Sequence, residues 1–83
     1  MNENKLNRYQ WRMVEVLKAP RELRFGEFRT ILNAYNYKMV HSVGSHFKFK
    51  GPSGPPILIA VHHNKVGRFC VRRVFKSLLQ LNP

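Results

Sequence analysis

Hydrophobic residues recur along this chain with two different periods. Between Lys5 and Lys18, Leu6, Tyr9, Met13, Val16 and Leu17 fall at helical spacing, which predicts an amphipathic helix. Pro20 forces an end or a turn at Ala19. From Arg24 to Tyr35, Phe25, Phe28, Ile31, Leu32 and Tyr35 form a second helical stripe. The period then changes from 3.6 to 2. Lys38 to Val43 reads as a strand stopped by Gly44, Ser45 to Lys50 as a second strand, and the β-branched run Ile57 to His62 as a third. Gly51-Pro52-Ser53-Gly54-Pro55-Pro56 between the last two has the composition of a turn. Asn64 to Arg68 reads as a basic loop. Val71, Val74, Phe75, Leu78 and Leu79 then line one face of a C-terminal helix, with Arg72, Arg73 and Lys76 towards its other side. Pro83 closes the chain.

The predicted order is therefore helix, helix, three strands, helix. Three short antiparallel strands need cover on one face, and helices packed there leave the other face to solvent. That is an α+β domain with one naked sheet face. Residues 24–83 hold the sheet and the two helices that cover it, and residues 1–23 form an N-terminal helical extension. Trp11 falls off the apolar stripe of the first helix, so it either anchors that helix or meets a partner.

Charge changes the picture most. Fifteen Lys and Arg face four acids, for a formal charge of +11, and from Phe28 to Pro83 there is no acidic residue. A one-signed field of this kind repels itself unless a polyanion neutralises it. Nucleic acid is the usual partner, through counterion release from its phosphates; an anionic membrane or an acidic protein would also answer the charge. The single cysteine, Cys70, permits neither an internal disulfide nor a cysteine-based zinc site. Without a long apolar run there is no expected transmembrane span or signal peptide, and a soluble, cytoplasmic protein without membrane partners follows.

The second strand carries the most chemistry. Alternation sends Phe47 and Phe49 to one face and His46, Lys48 and Lys50 to the other. One imidazole and two ammonium groups then stand in a row on the open face. Lysines there can hold adjacent phosphates as point charges, and a histidine can accept and return a proton near neutrality. RNA carries its own nucleophile, the 2′-hydroxyl. A base that removes its proton, beside cations that stabilise the phosphorane charge, suffices for transesterification. The plainer alternative is a surface histidine among solubilising lysines on an edge strand.

Gly44-Ser45-His46-Phe47-Lys48-Phe49 resembles the Gly-Ser-His signature of the HicA toxin family, which lies between that family's first and second strands. The resemblance continues through Ile57-Leu58-Ile59-Ala60-Val61-His62 and Asn64-Lys65 into the C-terminal helix from about Val71 to Leu79, and covers about Arg24 to Leu81. It implies a double-stranded-RNA-binding-domain-like fold, with a three-stranded antiparallel sheet between two helices. It implies a metal-independent mRNA interferase of a type II toxin–antitoxin system, restrained by a HicB-like antitoxin. It places the catalytic histidine at His46, with Ser45 beside it in the signature. Two departures stand out: Phe47 occupies the place of a second histidine common in the family, and the first 23 or so residues exceed the usual family start.

Around His46, the expected RNA-binding residues are Ser45, Lys48, Lys50, His62, Lys65, Arg68, Arg72 and Arg73. His62 ends the third strand on the side of Leu58 and Ala60, where it either helps with phosphate or leaving group or is a hydrogen-bonded strand end. His63 points the other way or begins the loop. His41 falls with Tyr37, Met39 and Val43 and is expected to be packed or peripheral. Gly67, Arg68, Arg72 and Arg73 open the last helix, whose N-terminus attracts phosphate. No helical His-x-x-x-His pair occurs and carboxylates are nearly absent, so neither a metal nor another cofactor is expected. The competing function is a non-catalytic RNA-binding module of the same fold that reads shape through 2′-hydroxyl and phosphate contacts.

Overall fold

The computed structural model describes residues 6–81; Lys5, where the first helix was expected to begin, and Pro83 lie outside them. Three helices and five strands follow in the order α1 (Arg8–Lys18), β1 (Leu23–Arg24), α2 (Phe25–Ala34), β2 (Lys38–Val43), β3 (His46–Lys50), β4 (Ile57–His62), β5 (Lys65–Val66) and α3 (Arg68–Leu81). The strands form one antiparallel sheet in the order β1-β5-β4-β3-β2. The molecule is thus a small α+β domain, with a sheet two strands wider than the three-stranded one expected. The extra strands come from the segment read as a basic loop and from the two residues before α2. Each is two residues long, too short for a hydrophobic period to register.

The hairpins are set by backbone chemistry. Gly44, with φ +57°, opens the two-residue loop between paired Val43 and His46, as a II′ turn requires. Between paired His62 and Lys65, His63 and Asn64 both have positive φ, 52° and 64°. That is the I′ pattern, made here without glycine. Asn36, at φ +66°, ends α2. Its N–H donates to the Asn33 carbonyl and the Tyr37 N–H to the Leu32 carbonyl, both at 2.9 Å, which is a Schellman closure with asparagine in the left-handed position. Asn7 and Gln10 cap α1 reciprocally, side chain to backbone at 2.8 and 2.9 Å.

All three helices contribute to one core on one face of the sheet. Met13 and Val16 of α1, Phe28, Ile31 and Leu32 of α2, Phe49 and Ile59 of the sheet, and Val71, Val74, Phe75 and Leu78 of α3 are buried together. The Phe28 and Phe75 rings stack at 5.7 Å, and Phe25 lies 4.7 Å from Phe47. Removing a side chain of this size from water stabilises by roughly 1.5–3 kcal/mol, so three fully buried phenylalanines matter in a domain this small. Arg12 of α1 donates from Nε to Glu27 Oε2 and, at 3.1 Å, from a terminal nitrogen to Oε1. The Arg12 guanidinium holds the Glu27 carboxyl below its ordinary pKa against the opposing effect of burial, and the Arg12 pKa rises in turn through its bonds to Glu27 and Glu15. The helix of the extension is thereby tied to α2, and it packs against α3.

Candidate active site

Cross-strand pairing fixes what stands on the open face. Along β3, His46, Lys48 and Lys50 are exposed while Phe47 and Phe49 turn to the core. On β4, His46 faces Ala60 and Lys48 faces Leu58; two residues further on, His62 lies on the same face and pairs with Lys65, which pairs with Arg24. On β2, Val43 faces His46 and His41 faces Lys48. Four rows result. Arg24, Lys65 and His62 make one end, followed by Ala60, His46 and Val43, then Leu58, Lys48 and His41, and finally the pair Lys50 and Lys38.

His41 departs from the sequence expectation. The β2–β3 register shifts between Met39 and His41, so one extra residue sits on β2. Met39 faces Phe49 on the core side, whereas His41 and Val43 lie with Lys48 and His46 on the open side. Unbroken alternation would have put all three together; a bulge reverses the parity beyond it. No residue type in Met39-Val40-His41 announces the bulge, which is why the sequence reading missed this histidine.

The open face is also less uniformly basic than expected. A groove of about 600 Å3 runs over it, lined by His41, Val43, His46, Lys48, Leu58 and His62 among others. Val43 and Leu58 are 62% and 63% exposed, so apolar side chains stand on either side of His46 and Lys48. Gly67, just before α3, and Cys70 and Arg73 of α3 form one wall. Arg73 reaches the Leu58 carbonyl at 3.5 Å and Cys70 Sγ at 3.7 Å, where β5 no longer pairs with β4. Burial pushes the Cys70 thiol pKa up, partly opposed by Arg73.

The sequence-derived site residues thus divide. His46, Lys48, His62 and Arg73 share the groove. Lys50 and Lys65 stand at opposite ends of the same face, and Lys65 approaches Glu22 at 3.9 Å. Ser45 lies in the hairpin turn, where its carbonyl accepts from the Val61 N–H at 2.8 Å. Arg68 and Arg72 do not line the groove. Arg68 lies over the Phe69 ring at 5.1 Å, and Arg72 shares a second surface depression with Phe69, Lys76 and Gln80. Trp11 is 56% exposed on α1. Among the described residues, no group of three or more His, Cys, Asp or Glu could hold a metal ion, and no helix is long and apolar enough to cross a membrane. No protein-family profile, curated protein or solved structure matches the chain.

Proposed function

We propose that the chain is a HicA-like toxin: a metal-independent endoribonuclease that cleaves mRNA in the cytoplasm and is restrained by a HicB-like antitoxin. The observation that carries the reading is the position of His46. It is exposed on the uncovered sheet face, two residues from Lys48 on the same side, and lines a groove of about 600 Å3. The order α2-β2-β3-β4-α3, with both helices on one side, supports a double-stranded-RNA-binding-domain-like fold to which α1, β1 and β5 are additions.

The chemistry follows from what RNA and an imidazole each provide. His46 takes the proton of a ribose 2′-hydroxyl, and the oxygen attacks the adjacent phosphorus. The P–O5′ bond breaks, leaving a 2′,3′-cyclic phosphate and a 5′-hydroxyl. Lys48 stabilises the charge that builds on the non-bridging oxygens. Lys50, Lys65, Arg68, Arg72 and Arg73 hold flanking phosphates. His46→Ala is expected to keep fold and RNA affinity while losing cleavage of a long RNA in EDTA and growth arrest on expression. Full cleavage by that variant would refute the assignment. Intact RNA bound by the wild type with a steep salt dependence would leave a binding module in its place.

A further inference from the structure

The geometry points to His41 as the general acid that completes the reaction begun by His46, an inference that rests on the endoribonuclease reading above. Two histidines flank His46 diagonally across the sheet: His41 lies two residues before its β2 partner Val43, and His62 two residues after its β4 partner Ala60. Diagonal neighbours stand roughly 7–8 Å apart. That is about the span of one phosphoryl group with a hydrogen bond at each end. An in-line displacement needs this arrangement, with the base and the acid on opposite sides of one phosphorus.

The two diagonals differ in what lies between them. His41 and His46 share Lys48, which is the cross-strand partner of His41 and stands two residues along the same face from His46. A phosphate held by Lys48 therefore lies next to both histidine positions. His62 and His46 share Ala60, which offers no charge, and Lys65, the cross-strand partner of His62, approaches Glu22. The position opposite His62 on β3 falls in the Gly44-Ser45 turn, at the rim of the sheet. His41, His46 and Lys48 all line the one groove, and the β2 bulge is what brings His41 into it.

The step balances without a co-reactant. Neutral His46 takes the 2′-hydroxyl proton as the O2′–P bond forms. The P–O5′ bond breaks, and His41, as imidazolium, gives its proton to O5′. The products leave with His46 protonated and His41 neutral, and solvent exchange restores both.

A leaving group that needs no proton isolates this role. Wild-type protein and a long RNA in EDTA first identify a cleavage site. An oligonucleotide of that sequence is then made with the scissile 5′ oxygen either normal or replaced by sulfur. His41→Gln is expected to slow cleavage of the oxygen substrate about 100- to 10,000-fold and to cleave the sulfur substrate within about tenfold of wild type, because a thiolate departs unprotonated. His46→Gln should fail on both, since it acts on the nucleophile. His41→Asn must repeat the pattern, with thermal melting confirming the fold. Unimpaired cleavage of the oxygen substrate by His41→Gln, or an equal loss on both substrates, overturns the assignment. So does sulfur rescue of His62→Gln in place of His41→Gln. A wild type that cleaves neither substrate removes the endoribonuclease reading itself, and the acid with it; an active wild type with an indifferent His41 removes the acid alone.

Discussion

Gly51 lies so close to the ring of Tyr37 that a Cβ built on it would stand 2.6 Å from Tyr37 Cδ2. Tyr37 is buried at the end of the α2 closure, and its hydroxyl donates to the Ser53 carbonyl at 3.4 Å. Glycine here admits the ring, joining the exit of α2 to the start of the long β3–β4 turn. Gly51→Ala should therefore destabilise by about 1–3 kcal/mol, read as a melting temperature lowered by roughly 4–8 °C per kcal/mol. Gly26→Ala is the control. Nothing lies within 4 Å of a Cβ in that position of α2, and the variant should gain about 0.5–1 kcal/mol from helix propensity. Equal effects from the two changes would remove the steric account of Gly51.

The Arg12–Glu27 pair gives a signed pH dependence. Because Arg12 depresses the Glu27 pKa in the folded state, the pair's contribution is present above the unfolded glutamate value of ~4.3 and is lost as pH falls through the lower folded value. Both side chains are about a third exposed, so Glu27→Gln should cost only about 0.5 kcal/mol near neutrality, and less in high salt. The gap between wild type and variant should close on acidification in denaturant titrations. A gap that widens below pH 4 would contradict the pair's role.

The His63-Asn64 turn holds two residues in left-handed backbone without a glycine. A histidine there is strained relative to asparagine or glycine. The double variant His63→Asn, Asn64→Gly should raise stability by about 1 kcal/mol while leaving RNA cleavage unchanged, because neither residue lines the groove. A drop in melting temperature would show that the turn is held by something other than its backbone preference.

On the proposed endoribonuclease reading, Lys48 and Arg72 should separate catalysis from general affinity. Lys48 lies in the groove beside His46, and Arg72 on the outer face of α3. Lys48→Ala should lower kcat with a modest change in RNA affinity. Arg72→Ala should weaken binding alike for all sequences and reduce the salt slope by about 1, with kcat kept. Filter binding across a salt series and single-turnover cleavage distinguish the two; a kcat loss confined to Arg72→Ala would invert the assignment.

The chain itself states whatever repeats over several residues. The alternation of His46, Phe47, Lys48, Phe49 and Lys50 was enough to place His46 and two lysines on the open face, because a pleated strand sends neighbours to opposite sides. The stripes of α1, α2 and α3 likewise declared their buried faces, since a helix that hides one side must repeat near 3.6. What stayed hidden depends on pairing between distant segments. β1 exists through its pairing with β5, and β5 through its pairing with β1 and β4, and no period can develop over two residues. The β2 bulge turns His41 outward because β3 runs one residue short opposite it, a mismatch that neither strand records alone. Arg73, one of several cations on α3, reaches the groove while Arg72 does not, and only the packing of α3 along the end of β4 made that choice.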